Sequence, residues 1–247
     1  MDYSIVIPAY DEELLLPATI AALREAMAEI SETGEIIVTD NNSRDATAEV
    51  ARAGGARVVF EPVNRISTAR NAGARAARGK WLVFVDADTR VPSALLSRAI
   101  ETLANGETGG GGACIRFDPA AKASAPVALR FWNWISRSFK LAAGSFIFCH
   151  RDGFNAVGGF SDKVYAGEEI IFSRRYKKWC RKRGLRFEIL SDHPVITSAR
   201  KLEWHSTFTL VRGFLVFLFC PFLVRSRSFC RFWYERPSGN ESASKGK

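Results

Sequence analysis

No Gly-x-Gly-x-x-Gly fingerprint follows a strand-like run in this chain, so a dinucleotide cofactor is not expected. The stretch after the first apolar run, residues 8–13, also lacks a glycine- and lysine-rich phosphate loop. The five cysteines (Cys114, Cys149, Cys180, Cys220 and Cys230) are odd in number and show no C-x-x-C spacing. Reduced thiols in a cytosolic compartment, with no zinc site, are the expectation. No cationic segment precedes the short apolar run at residues 4–8, so no signal peptide is read there. Nor does an uninterrupted run reach the ~20 apolar residues of a membrane span. Residues 208–224 come nearest, but Arg212 and Pro221 break them. No internal repeat is evident.

What the chain does have is positive charge and ordinary globular composition. Lys and Arg number 35 against 26 Asp and Glu, giving a formal charge of +9. That excess invites nucleic acid, an anionic membrane surface or a phosphorylated substrate. Hydrophobic content of 47% with 25% charged residues suits one large α/β domain or two small ones.

Strand-like and helix-like stretches alternate four times before residue 90. Residues 3–8 read as a strand ending at Pro8. A helix carrying Ile20, Leu23, Met27 and Ile30 on one face follows, with Pro17 in its first turn. Residues 35–40 form a second strand that ends in Asp40. A polar turn, with Ser43 or Asp45 as cap, opens a helix stopped by Gly54-Gly55. Residues 57–60 are a third strand, and Ser67 is placed to cap the next helix. This alternation predicts a parallel sheet with right-handed crossovers. Gly109 to Gly112 reads as a flexible hinge, beyond which the order loosens. The later elements are a strand at 113–117, an aromatic helix at 125–141, a strand at 145–149, a basic helix from Gly167 to Arg183 and a strand at 185–190.

The stretch around residues 80–89 organises the rest. Trp81, Leu82, Val83, Phe84 and Val85 run directly into Asp86-Ala87-Asp88. A continuous apolar run of this kind is a strand buried on both faces, and ligands of open α/β sheets gather at the carboxyl ends of strands. Two carboxylates so close repel unless a cation holds them, and oxygen donors suit Mg²⁺ or Mn²⁺. The competing reading is a polar strand end followed by a helix cap.

Taken in order, Ile7-Pro8-Ala9-Tyr10-Asp11-Glu12, Val38-Thr39-Asp40-Asn41-Asn42-Ser43-Arg44-Asp45-Ala46-Thr47, Ala69-Arg70-Asn71-Ala72-Gly73, Val85-Asp86-Ala87-Asp88, Gly158-Gly159-Phe160 and Gly167-Glu168-Glu169 resemble the motif series of a family 2 glycosyltransferase. The resemblance implies a GT-A-like fold: a Rossmann-type, mostly parallel central sheet flanked by helices, with C-terminal amphipathic or apolar helices. It implies a catalytic domain at 1–205, split into a nucleotide-binding half (1–112) and an acceptor half (113–205). An apolar and basic, membrane-associating segment at 206–236 and a disordered tail at 237–247 would follow.

It also implies inverting transfer of a sugar from a nucleoside-diphosphate sugar to an acceptor hydroxyl or phosphate. Pro8, Ala9, Tyr10, Glu12, Asp40, Arg70, Asp86, Ala87 and Asp88 are the nucleotide-binding candidates. Within that set, Tyr10 would stack on the base, Asp40 would accept from a base N–H, and Arg70 would reach the base or diphosphate. An exposed helical arginine is the alternative for Arg70, and a helix N-cap the alternative for Asp40. Asp86 would hold ribose or base, and Asp88, with Asp86 and His193 as further candidates, would ligate Mg²⁺ or Mn²⁺. His205 is a second candidate for a late ligand, and Arg200-Lys201 could close over the diphosphate. Where the family places an aspartate as acceptor-side base, this chain has Glu169 preceded by Glu168, which leaves the choice between them open. Glutamates favoured by a helix macrodipole are the competing reading of that pair.

A UDP-sugar donor is favoured, with a GDP-sugar next; the acceptor would be a sugar, a glycolipid or a polyprenyl phosphate. Localisation would be cytoplasmic, with peripheral contact at the cytoplasmic face of the membrane. No nucleic acid is expected as partner, because the basic residues are scattered and the acidic strand ends oppose a phosphate backbone. A nucleotidyltransferase and a basic nucleic-acid-binding α/β protein are the rival readings.

Overall fold

A computed structural model describes residues 1–117 and 125–198. Its elements are β1 (Tyr3–Ala9), α1 (Leu16–Ala28), β2 (Gly34–Asp40), α2 (Thr47–Ala53), β3 (Arg57–Phe60), α3 (Ile66–Ala76), β4 (Trp81–Val85), β5 (Thr89–Arg90), α4 (Ser93–Ala104), β6 (Thr108–Phe117), α5 (Ala125–Phe139), β7 (Phe146–His150), α6 (Arg151–Ala156), α7 (Glu168–Arg181) and β8 (Arg186–Thr197). Eight strands form one sheet in the order β3-β2-β1-β4-β7-β6-β8-β5.

The inner strands are apolar on both faces because both faces are covered. Ile5, Ile7, Val83 and Val85 pack on one side with Leu16, Ile20 and Leu23 of α1 and Leu95 and Leu96 of α4. Val6, Leu82 and Phe84 point the other way, among Phe154, Phe160, Phe172 and Tyr176. Strand alternation thus divides one hydrophobic run between two cores.

The first four strands are parallel, as expected. The rest of the sheet is mixed: β7 runs antiparallel to β4 and β6, while β8 is parallel to β6. This reversal serves the site. Phe146, the first residue of β7, lies opposite Val85, the last of β4, so the chain enters β7 beside the Asp86 end.

Two local expectations are corrected. Gly109 to Gly112 is no hinge; it lies in β6, inside the sheet and buried. A Cβ at Gly110 would come within 2.5 Å of the Phe148 carbonyl, one at Gly112 within 2.6 Å of Ala142 Cβ, and one at Gly111 would strike the Glu188 carbonyl. Absent side chains here let neighbouring backbones approach closely. Gly111→Ala is therefore expected to cost about 1–3 kcal/mol in a denaturant titration. Ser67 does not cap α3 either: Arg65 holds the cap position, and the Ser67 hydroxyl is buried without a partner.

Among the described residues, no helix is long and apolar enough to cross a membrane. The apolar segment at 208–224, the tail from 237, Arg200, Lys201 and His205 lie outside them.

Candidate active site

Three parallel strands deliver their carboxyl ends to one edge of the sheet. β1 continues through the buried Pro8 to Ala9, which pairs with Asp40 of β2. The loops beyond interlock. Asp11 N–H donates to Ser43 Oγ (3.0 Å), Glu12 N–H to Thr47 Oγ1 (2.8 Å) and Glu13 N–H to Asp45 (3.1 Å). In return Arg44 N–H donates to Asp11 (2.7 Å) and Ala46 N–H to Glu13 (2.9 Å). The left-handed backbone of Asp11 (φ 51°) and Asn42 (φ 65°) permits this close docking.

Asp40 is 8% exposed, and its Oδ1 accepts the Ser43 N–H at 3.0 Å. It closes that turn rather than capping α2, whose cap position is Ala46. Tyr10 is half-buried in the loop after β1, and Glu12 is buried. Asn41 organises the facing loop: its amide donates to the Glu61 and Val63 carbonyls (3.0 and 2.6 Å), and its oxygen accepts from Arg65 N–H (2.9 Å).

The centre of the site is Arg70 of α3, which is 1% exposed. Its Nη1 donates to Glu168 Oε1 at 2.7 Å, and its Nη2 to Asp86 Oδ1 at 2.8 Å and to the Gly144 carbonyl at 3.0 Å. The guanidinium also sits 5.2 Å from the Phe160 ring centre. Burial alone would push it down, but the Asp86 and Glu168 charges reverse that and hold it above its ordinary pKa. A buried cation needs such partners. The exposed-arginine alternative is thereby excluded, and both terminal nitrogens are already engaged by protein oxygens.

The turn at 158–160 is fastened to the same helix. Asn71 donates to the Phe160 carbonyl (2.9 Å) and accepts from Phe160 N–H (3.0 Å). The turn it clamps is left-handed at Gly158 (φ 76°) and Gly159 (φ 64°), and a Cβ at Gly159 would lie 2.6 Å from Asn71 Oδ1. Gly167 (φ 75°) then starts α7, placing Glu168 and Glu169 in its first turn.

The two glutamates differ. Glu168 is 4% exposed and tied to Arg70, and burial still raises its pKa. Glu169 keeps an edge open to solvent. Its carboxyl is pushed up to about 8, by burial first and by the Glu168 charge second.

Residues 4–161 match the model of the glycosyl transferase family 2. The chain belongs to that family. It is 32% identical over 134 residues to an uncharacterized glycosyltransferase of Mycobacterium tuberculosis, covering 54% of each chain. It is 34% identical over 110 residues to the undecaprenyl-phosphate 4-deoxy-4-formamido-L-arabinose transferase of Pseudomonas aeruginosa, covering 42% of this chain and 32% of that one. The chain thus spans about half the length, or less, of these curated relatives.

Among solved structures, glucosyl-3-phosphoglycerate synthase from Mycobacterium tuberculosis, in complex with Mn²⁺ and UDP, superposes with a TM-score of 0.62 at 17% identity, over 91% of this chain and 79% of that one. The mannosyltransferase from Pyrobaculum calidifontis, in complex with GDP-Man and Mn²⁺, gives 0.61 at 22% identity, over 78% and 56%. These likenesses establish the GT-A fold.

Within this family 2 domain, the donor set of the Asp86-Ala87-Asp88 turn fits a hard divalent cation only in part. Ala87 is buried, with its carbonyl bonded to Thr19 Oγ1 at 2.8 Å, which fixes the turn to α1. Asp88 is half-buried, and among the described residues its carboxylate has no partner, whereas Asp86 is committed to Arg70. One free carboxylate is what a magnesium-like ion needs when phosphates and water complete its shell. His193 does not join them. It is exposed in the irregular stretch of β8, four residues before Thr197, which pairs with Thr89. Among the described residues, no group of three or more His, Cys, Asp and Glu side chains gathers to hold a metal.

Sequence reasoning missed Asn71, Asn41 and Gly144 as parts of the site. Asn41 and Asn71 stood inside the motifs at 38–47 and 69–73, but those motifs assigned roles only to their neighbours Asp40 and Arg70.

Proposed function

We propose that the domain is an inverting glycosyltransferase using a nucleoside-diphosphate sugar and a divalent metal. The observation that carries this reading is the Arg70 bridge. One buried guanidinium fixes the donor-side Asp86 and the acceptor-side Glu168 in a single cluster, with Glu169 next to it.

Tyr10 stacks on the base and Asp40, beneath the same loop, accepts from a base N–H. Pro8, Ala9 and Glu12 shape the floor. Asp86 faces the ribose, and Asp88 holds Mg²⁺ or Mn²⁺, which supplies Lewis-acid stabilisation of the departing diphosphate. On the acceptor side Glu169 takes the proton of the attacking hydroxyl. The acceptor oxygen bonds to the anomeric carbon from the face opposite the leaving group. The bond to the diphosphate breaks with its electron pair, which inverts the configuration. Glu168, tied through one oxygen to Arg70, positions its neighbour instead of accepting the proton. Arg70 accordingly acts on the donor through Asp86 rather than by gripping it.

The Asp88 carboxylate, without a partner among the described residues, supports the metal assignment, as do the Mn²⁺-bound neighbours of the same fold. A UDP-sugar is the first donor to try and a GDP-sugar the second. The Pseudomonas aeruginosa relative, named for undecaprenyl phosphate, supports a lipid-linked acceptor.

A thermal-shift panel of nucleoside diphosphates with and without Mn²⁺ tests the donor assignment, since a ligand that binds the native state raises its apparent stability. Asp88→Asn is expected to abolish the metal-dependent part of both the shift and turnover while leaving the unliganded melting point in place. Metal-stimulated turnover retained in that variant would refute the ligand assignment.

A further inference from the structure

We infer that the outer face of α5 docks the domain on an anionic phospholipid bilayer; the inference rests on the lipid-linked acceptor reading above and names the surface that would bring the site to it. The inner face of α5 is secured to the sheet. Asn133 accepts from Ile115 N–H (3.0 Å) and donates to Ile115 O (2.9 Å), and the buried Ser136 hydroxyl donates to Leu141 O (2.7 Å). The opposite face carries Phe131, Trp134 and Phe139, which are 49%, 53% and 59% exposed. Their rings form one surface: Phe131 stacks on Trp134 at 6.0 Å, and Phe139 meets Trp134 edge-on at 6.4 Å. Large aromatics are seldom left in water in such a continuous group.

Charge identifies the occupant. From residue 119 to residue 151 there is no Asp or Glu, while Arg130, Arg137 and Lys140 are exposed around the rings. Lys177 of α7 reaches the Phe139 carbonyl at 2.5 Å, and the neighbouring charges of Lys140 and Arg174 help to depress its pKa after burial. Exposed aromatic side chains with cations beside them on the same helix, in a stretch of chain free of acids, suit the interface of an anionic bilayer. A second copy of the chain is the poorer occupant, because a two-fold contact would set this basic rim against itself. Five residues after Phe139, the Gly144 carbonyl is bonded to Arg70, so a docked α5 holds the catalytic cluster near the bilayer surface.

The test is co-sedimentation of the full chain with vesicles of phosphatidylcholine alone or mixed with phosphatidylglycerol, at low and high salt. The parent is expected to pellet with the anionic vesicles and to be released by salt. Phe131→Ser/Trp134→Ser/Phe139→Ser, and separately Arg130→Glu/Arg137→Glu, should each weaken partitioning roughly tenfold or more. The nucleoside diphosphate thermal shift, measured on the same samples, should not change. Lost pelleting with an intact shift supports the surface. Pelleting equal to the parent's in both variants overturns it, whether or not nucleotide binds. So does a parent that ignores anionic vesicles, or one whose α5 substitutions abolish a dimer in sedimentation velocity instead. Failure of the nucleotide shift in the parent would count against the donor assignment alone.

Discussion

Arg70→Met is expected to lower the melting point by roughly 10 °C and to abolish turnover. Methionine fills a similar length but leaves Asp86 and Glu168 without their cation, and the Gly144 carbonyl without its donor. Breaking a buried ion pair from one side costs about 3–5 kcal/mol, because the remaining charge stays desolvated. The pH dependence distinguishes this from a packing defect. Glu168 already titrates above the ordinary carboxylate range, and losing Arg70 removes the main influence holding it down. A carboxyl whose folded pKa is raised contributes stability at low pH and loses it as pH climbs through that value. The deficit of Arg70→Met should therefore widen from acid to neutral pH, whereas a cavity would cost the same throughout. Arg70→Lys keeps the charge but cannot present two N–H edges to separate carboxylates, so it should fall between. A melting point and pH dependence unchanged in Arg70→Met would remove Arg70 from the centre of the site.

The contrast between Asp86 and Arg70 explains how much the sequence could tell. Asp86 and Asp88 were legible because a strand buried on both faces must be apolar throughout, so the charge that ends it marks the sheet edge. The parallel half of the fold was legible for the same reason, from β1, β2 and β4. Arg70 carried no such signal. Its partner Glu168 lies 98 positions away, and only folding brings the two together.

Gly109 to Gly112 misled in the opposite direction. Consecutive glycines suggest freedom when neighbours are unknown, but here they are needed because Phe148, Ala142 and Glu188 press so closely on β6. The antiparallel entry of β7 was equally hidden, since direction depends on where the α5 connection returns. Ser67 looked like a cap because serine often is one, yet the turn before it is held by Asn41 through Arg65 N–H. His193 was a plausible ligand from its type alone, and among the described residues it joins no group of three metal-ligating side chains.

Glu169→Gln is expected to reduce transfer by about 10²–10⁴-fold, the usual contribution of a positioned general base, while leaving nucleotide binding intact. The same substitution should make the protein more stable in mild alkali, and the two effects have one cause. Burial and the Glu168 charge lift the Glu169 pKa from its ordinary 4.5 to about 8. Between those values the unfolded chain loses a proton that the folded chain keeps, so the parent loses stability as pH rises from about 4.5 towards 8. Glutamine does not ionise and escapes that penalty, so its melting point should exceed the parent's increasingly over this range. Catalysis requires the opposite state. In the parent, kcat/KM should climb with pH as Glu169 becomes ionised, along a limb well above the ordinary carboxylate range. Glu168→Gln breaks the Arg70 bridge instead, and its loss should appear in stability as well as in rate. If Glu168→Gln alone abolished transfer with an unchanged melting point, the base would be Glu168 and Glu169 its support. A stabilised, inactive Glu169→Gln protein would locate at one carboxyl both the base of the reaction and the strain the fold tolerates to hold it.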